Sequence, residues 1–484
     1  MTLLLPNGPP IIALTPREKN AAHNGVMRLN VAQIKAAEHS LIELNPNFSA
    51  RFGAGRVMAS LVLLTTLVAI IGVIMGWGRQ VSYIMIALNL PLLIIRILTL
   101  FDFNSEAKGF DGGKYREELD DLPIYSLLIA VYNEKDVISN LITALSKLIW
   151  AKNKLDIIFL CEEDDIKTYE EIQKHKSLLK FRTLILPKGE IKTKPRALQA
   201  GFEYVRGKYV AVFDAEDRPH PEQLLEAYDA FLRGDEKLAV VQAPLVPWNF
   251  RENIIAALFA VDYATWYRVI IPFYARFFKV FPLGGTSNHF KVETLKAVGG
   301  WDPANLTEDA DLGMRFALFG YMAGNIYLPT EEEAPPRLSV WLRQRTRWIQ
   351  GHLQTLDVAG RNFKIGLKKQ SRFEYLSIIF ALASGPFYGA LRLPMLILLF
   401  LNPFDQGLIW IFPLLETLIA TKAVIRDGRY ILLLQNFLLP FYWLIQTIAL
   451  YRAIYRVFTK PLIWEKTMHG KGARLQRLRF KCFN

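Results

Sequence analysis

Cysteine is nearly absent from this 484-residue chain: Cys161 and Cys482 are the only two, and neither belongs to a spaced set. That excludes a disulfide framework and a Cys-rich zinc site. Charge is missing altogether from Val57–Trp77 and is reduced to Arg96 in Val81–Phe101. Acid is scarce in two further stretches. Arg337–Arg372 holds nine Lys/Arg against one Asp, and Lys460–Asn484 seven against one Glu. What is abundant is apolar: 52% hydrophobic residues beside 21% charged, which rules out a disordered or collagen-like chain. A mean hydropathy of +0.18 with that much charge averages two kinds of region, one soluble and one continuously apolar.

The formal charge is +13, and the two basic stretches, at +8 and +6, account for all of it. A nucleic-acid-binding protein would carry such charge on a soluble recognition face. Here both stretches flank the last apolar segments, the pattern that orients membrane spans with their basic side toward the cytoplasm. A lipid bilayer is therefore the expected partner, and nucleic acid is not. Val57–Trp77 has 21 uncharged residues, enough to cross about 30 Å of hydrocarbon as a helix. It lies too far from Met1, and is too long, for a cleaved signal peptide. Residues 57–101 thus read as two transmembrane helices after a cytoplasmic segment, 1–56, with Arg96 snorkelling to the inner interface.

Residues 373–457 hold the apolar segments Tyr375–Leu401, Gly407–Ile425 and Ile431–Leu450. Three crossings would place the basic tail, 458–484, outside. Pro386 and Pro394 are therefore expected to split the first segment into an interfacial helix and a span, or into two half-spans. The crossing count stays open. Arg392 and Glu416 fall at similar depth in a hairpin and are expected to pair or to line a polar conduit.

Between the two apolar regions, 102–372 reads as a soluble domain. Short β-type runs (Ile124–Tyr132, Leu155–Cys161, Phe181–Leu186, Tyr209–Asp214) alternate with helical segments (Val137–Leu148, Ile166–Lys180, Pro195–Val205, Pro221–Leu232). That alternation predicts a mainly parallel α/β sheet covered on both faces, with ligand beyond the carboxyl ends of the strands. Three of those ends run into acids: Tyr132-Asn-Glu134, Glu162-Glu-Asp-Asp165 and Asp214-Ala-Glu-Asp217. Near residues 253–281 an aromatic, apolar stretch reads either as core helix or as an interfacial helix in the inner leaflet.

Asp214 and Glu216, two apart on extended backbone, can aim at one point. Mg²⁺ held with substrate phosphates uses such a pair, although acidic turns are also commonly just solvated. Thr307-Glu-Asp309 precedes a helical run, so Thr307 is a candidate N-cap with acids in the first turn; the functional reading makes Asp309 a general base. Arg343-Gln-Arg-Thr-Arg347-Trp348 packs three Arg beside an aromatic. It suits a diphosphate leaving group and a stacked ring, or alternatively a lipid anchor.

Tyr132-Asn-Glu134, Asp214-Ala-Glu-Asp217, Thr307-Glu-Asp309 and Gln344-Arg-Thr-Arg-Trp348, in that order between spans, resemble the membrane-integrated family 2 glycosyltransferases. Cellulose synthase catalytic subunits and hyaluronan synthases are the best-known members. Pro282–Phe290, Gly299-Gly-Trp-Asp302 and Trp464–Gly470 are closer to the family's bacterial exopolysaccharide synthases, and the similarity covers about Asp121 to Gly470. The resemblance implies an α/β GT-A (Rossmann-like) cytoplasmic domain inserted between transmembrane α-helices of a multi-pass bacterial inner-membrane protein. It implies transfer of a sugar from a UDP-linked nucleotide donor, with inversion, to a growing β-glycan that leaves through the same chain; no motif reports which sugar, and UDP-glucose is expected ahead of UDP-N-acetylglucosamine.

By that resemblance Tyr132, Glu134, Glu163, Lys194, Asp214 and Arg347 face the donor nucleotide. Asp214 and Glu216 hold Mg²⁺ or Mn²⁺, and Asp309 is the catalytic base. Glu308, Gln344, Arg345 and Trp348 lie on the acceptor and diphosphate side. Glu162-Glu163 stand where relatives carry aspartates, and Glu163 is taken as the nucleotide contact. No regulatory domain is expected after the last span, and partners for export are a further implication. Two other readings compete: transfer of a single sugar to a lipid or short acceptor, and a transporter with an α/β regulatory domain.

Overall fold

The computed structural model describes residues 25–103, 110, 112–116, 118–401 and 411–463. The Trp464–Gly470 motif, most of the basic tail, the start of the Gly407–Ile425 segment and residues 1–24 lie outside the described residues.

The strands are β1 (Val26–Arg28), β2 (Tyr125–Val131), β3 (Leu155–Glu162), β4 (Arg182–Leu186), β5 (Tyr209–Phe213), β6 (Arg218–Pro219), β7 (Leu238–Gln242), β8 (Leu245–Pro247), β9 (Asn288–Lys291), β10 (Met322–Asn325) and β11 (Thr330–Glu332). Eight form one sheet in the order β1-β4-β3-β2-β5-β9-β7-β10, and β6-β11-β8 form a small second sheet. The large sheet is parallel except for β9, which runs antiparallel to both β5 and β7. It is the α/β, GT-A-like arrangement expected, with a mixed rather than purely parallel centre.

Strand periodicity explains why this sheet is doubly covered. Along β3, Ile158 and Leu160 enter one apolar cluster while Ile157, Phe159 and Cys161 enter the other, as side chains two apart share a face. Lys194–Phe202 packs on the first side; Ile138–Leu145 and Gln223–Arg233 pack on the second. Strands buried on both faces read as continuous apolar runs, which is why β2 is Tyr-Ser-Leu-Leu-Ile-Ala-Val.

The N-terminal segment contributes more than its sequence discloses. β1 pairs in parallel with β4 at the sheet edge. The following helix, Val31–Leu44, begins with a capping box in which Asn30 and Gln33 satisfy each other's backbone N–H groups.

Five helices among the described residues are long and apolar enough to cross a membrane: Arg56–Ile74, Gly78–Phe101, Ile254–Phe277, Arg372–Leu398 and Tyr430–Thr459. The 253–281 region packs against the rest of the protein over most of its length. Phe259, Val261, Phe273 and Tyr274 are buried in the cluster that also takes Val210 from β5 and Leu439 from the C-terminal helices. This element is therefore the joint between sheet and apolar helices.

Three expectations for the apolar segments are corrected. Pro386 and Pro394 do not split their segment, because one helix runs from Arg372 to Leu401 through both; neighbouring helices can support the freed carbonyls. Glu416 pairs not with Arg392 but with Arg96, at 2.7 Å, so Arg96 points to a half-buried protein partner instead of snorkelling. Arg392 donates to the Trp443 carbonyl at 2.9 Å and to Gln446 at 3.3 Å, beneath the Tyr388 ring. Each ionised group thus has a protein partner rather than lipid.

Candidate active site

The carboxyl ends of β2, β3 and β5 open on one side of the large sheet. After β2, Asn133 takes φ +53°, a left-handed turn Asn tolerates, and its N–H is accepted by Asp165 at 2.5 Å. The Glu134 N–H donates to Thr168 at 2.9 Å. This turn aims Tyr132 and Glu134 into a cavity of about 570 Å³. Lys192 lies 3.6 Å from the Tyr132 ring centroid and is held there by Asp164.

At the end of β5 the chain turns on Asp217. Its carboxylate accepts the Asp214 N–H at 2.7 Å and the Thr286 hydroxyl. That turn leaves Asp214 and Glu216 lining the same cavity. Lys194, at the start of its helix, pairs with Asp214 and donates to the Gly285 carbonyl at 2.6 Å.

The helix Glu308–Phe319 starts at the opposite wall. Thr307 is its N-cap residue, but its side chain makes no capping bond; Asp309 instead accepts the Ala310 N–H at 2.8 Å. Thr307 is occupied elsewhere. The long helix Leu338–Lys368 crosses at Gly351, where a Cβ would lie 2.7 Å from the Thr307 nitrogen. Two contacts beside it hold this crossing: Gln354 accepts the Leu306 N–H at 3.1 Å, and Thr355 accepts from Asn305 at 3.1 Å. The same helix carries Gln344, Arg345, Arg347 and Trp348 into the cavity wall. Arg345 pairs with Asp262 and lies 4.6 Å from the Trp348 ring centroid.

Asp214, Asp309 and Trp348 therefore share one cleft. Of the residues singled out from sequence, Tyr132, Glu134, Lys194, Glu216, Glu308, Gln344, Arg345 and Arg347 line it too. Glu163 does not. Its carboxylate accepts the Lys188 N–H at 2.8 Å on the outer surface, and Glu162 takes the cavity position, clamped by Arg196. The β-strand alternation that sends Glu162 inward sends its neighbour outward.

The electrostatics are those of opposed charges in a confined space. Burial raises Glu308 to about 8, with Asp309 adding to the rise and Lys194 and Arg347 opposing it. Burial also raises Asp309, offset by the Ala310 N–H, Lys194 and Arg347. Burial works against the Lys194 ammonium, yet Asp214, Glu308 and Asp217 outweigh it and bring it to about 12. An acid poised above its ordinary range beside two fixed cations suits proton transfer next to a developing anion.

No group of three or more His, Cys, Asp or Glu able to hold a metal occurs among the described residues. The donor set nevertheless fits a small hard cation completed by diphosphate oxygens. Asp214 and Glu216 face the cavity, and Asp217 Oδ1 is buried without a hydrogen-bond partner. Burial, with Glu216 and Asp214 close by, pushes Glu332 well up. Mg²⁺ binds through one or two carboxylates plus substrate phosphates.

Sequence reasoning overlooked Glu332, Asp262, Tyr263 and Tyr267, which also line the cavity. The run Glu331-Glu-Glu333 was a visible signal for the first. The other three sit in a stretch whose apolar composition hid them.

Comparison with known proteins bears on this cleft. The profile of the family described as "Glycosyl transferase family group 2" matches residues 209–464. A probable glycosyltransferase of Bacillus subtilis is 27% identical over 53% of this chain and 62% of its own length. A probable glucomannan 4-beta-mannosyltransferase of rice (Oryza sativa subsp. japonica) is 29% identical over 50% of this chain and 42% of its own. The chain spans about half the length of the curated relatives it matches. Among solved structures, a mannosyltransferase of Pyrobaculum calidifontis in complex with GDP-Man and Mn²⁺ superposes with a TM-score of 0.46. It is 16% identical and covers 76% of this chain and 99% of that one.

Proposed function

The chain belongs to glycosyl transferase family group 2, and from that premise we propose that it polymerises a β-linked glycan from a nucleotide sugar, UDP-glucose, and passes the product across the membrane in which its apolar helices sit. The observation that carries this reading is the single cavity shared by Asp214, Glu216, Asp309 and the Gln344–Trp348 turn, at the joint between sheet and apolar helices. The rice relative's β-mannosyl name supports a β-glycan product and makes GDP-mannose the donor to test beside UDP-glucose.

In this reading the nucleotide lies along the ends of β2 and β3, against Tyr132, Glu134 and Glu162. Asp214 and Glu216 would hold Mg²⁺ or Mn²⁺, which supplies positive charge to the diphosphate. Asp309 removes the proton from the acceptor hydroxyl as that oxygen bonds to the anomeric carbon. The bond from that carbon to the diphosphate breaks on the opposite face, so configuration inverts. Lys194 and Arg347 stabilise the charge that develops on the leaving group, an interaction worth most in the transition state. Trp348 offers the acceptor sugar a flat face, with Gln344, Arg345 and Glu308 around it. Processive elongation, an inner-membrane site with the α/β domain on the cytoplasmic side, and partners for export belong to the same proposal.

Radiolabel incorporation from a panel of UDP- and GDP-sugars, with product sizing and linkage analysis, tests it. Long β-linked product from one donor is expected. Single-sugar adducts on lipid or a short acceptor would overturn processivity, and no incorporation from any donor would overturn the whole reading.

A further inference from the structure

The N-terminal helix Val31–Leu44 lies outside residues 209–464, the part matched to the family. Nothing in the proposed chemistry uses it. Yet one of its acids, Glu38, is buried and reaches the connection between β4 and Lys194, the segment that presents Lys192 and Lys194 to the cavity. The Glu38 carboxylate accepts the Glu190 N–H at 3.2 Å and the Ile191 N–H at 3.3 Å. Arg196 Nη1 lies 3.8 Å from it, while Nη2 of the same guanidinium clamps Glu162 in the cavity wall. Glu38, Arg196 and Glu162 thus form a buried acid–base–acid relay from the outer helix to the cavity.

The backbone is shaped around this relay. At Gly189 a Cβ would lie 2.7 Å from Arg196 Nη1 and 2.9 Å from the Glu38 carboxyl carbon, so the segment closes on the pair only because no side chain intervenes. A second tether lies alongside. Arg51, just past the helix, pairs with Glu190 at 2.6 Å, and His39 stands 3.8 Å from the same carboxylate. Downstream, Lys192 is seated against Tyr132 and Asp164, and Lys194 against Asp214 and Gly285. A connection held at 190 and 191 from outside therefore fixes where two cations two and four residues on are delivered inside.

We propose that Glu38 is a positioning residue for the donor site: through Arg196 and the 190–191 backbone it sets the segment that carries Lys192 and Lys194, so the N-terminal helix controls donor affinity without touching donor. This inference rests on the nucleotide-donor reading above. Glu38→Gln keeps the size of the side chain but removes the charge facing Arg196 and puts an amide N–H₂ where two backbone donors and a guanidinium converge. Arg51→Ala removes the outer tether at a more exposed site.

The test uses the full chain in detergent. It measures UDP and GDP affinity with Mg²⁺, donor KM and kcat, and the unfolding temperature, for wild type and both variants. For Glu38→Gln we expect donor KM and nucleotide Kd to rise roughly tenfold, equal to about 1.4 kcal/mol of binding. The same variant should also lower kcat several-fold, since the displaced Lys194 acts most strongly on charge that develops in the transition state, while the loss of ground-state positioning shows in KM and Kd. Arg51→Ala should shift the same parameters in the same direction, less strongly, and it decides the matter if Glu38→Gln does not fold. Unchanged nucleotide affinity in both variants overturns the inference alone, as does a loss confined to kcat and unfolding temperature. Binding of neither nucleotide by the wild-type chain removes the donor reading, and this inference with it.

Discussion

Asp309 and Glu308 share a confined space with Lys194 and Arg347, and that setting fixes how both acids titrate. The base proposed at Asp309 must be ionised to act, and burial holds that carboxyl above the ordinary aspartate range. Activity should therefore fall, on the acid side, at a higher pH than an exposed aspartate would give. Arg347→Ala removes one of the cations opposing that rise, so the acid limb of its residual kcat/KM profile should move to higher pH still. An unmoved limb would separate Arg347 from Asp309. Glu308 makes a second case. Its carboxyl titrates near 8 in the fold and near 4.5 when ordinary, so the folded state binds more protons between those values. Its contribution is then fully present below about 4.5 and is lost as pH rises through about 8. Glu308→Gln should gain thermal stability over wild type at pH 8.5 but not at pH 4.5, as a melting series checks. At this scale the sequence was readable where a strand end exposes its acids, as at Asp214 and Glu216. It misled between neighbours, Glu162 and Glu163, because which of two adjacent acids points inward depends on a pleat phase that pairing decides. Glu332 went unseen because it depends on β11 pairing with β8 and β6.

Elements meet at the Thr307–Asp309 turn and the Leu338–Lys368 helix, and their closeness depends on Gly351. Replacing Gly351 by Ala favours the isolated helix by about 1 kcal/mol, but the added methyl has no room against Thr307. Overpacking of this kind typically costs about 1–3 kcal/mol. Gly351→Ala should lower the unfolding temperature modestly, and should lower transfer more than tenfold by displacing Asp309 from Arg347. Near wild-type kcat would show that the crossing does not set the site. The long periodic elements were legible: β2 to β5 and three of their helices fall within a few residues of expectation, while the helix expected over Ile166–Lys180 ends at Gln173. β1, with three residues, and β9, with four, were not, because such short strands carry no periodicity of their own and exist through their neighbours. Pro386 and Pro394 misled for the opposite reason. A local breaker was overridden by the tertiary support around Arg372–Leu401.

Across the whole molecule, the apolar helices are held together by pairs the sequence did not assign. Arg96 and Glu416 come from segments 320 residues apart and meet at 2.7 Å. Removing one partner strands the other half-buried and uncompensated, whereas removing both can be nearly neutral. Arg96→Leu and Glu416→Leu should each destabilise the detergent-solubilised chain, and the double variant should recover much of the loss. Additive losses would remove the pair from the account. Composition disclosed that apolar helices flank an α/β domain, but which charge meets which is a property of packing. In the reading proposed above, Asp309 acts on a sugar nucleotide bound in the cavity it shares with Asp214 and Trp348. The most direct measurement compares Asp309→Asn with wild type for UDP and GDP affinity and for sugar transfer on the same preparations. A folded variant with unchanged nucleotide affinity and transfer reduced at least about 10²-fold is expected; near-normal transfer by Asp309→Asn would show that Asp309 is not the base.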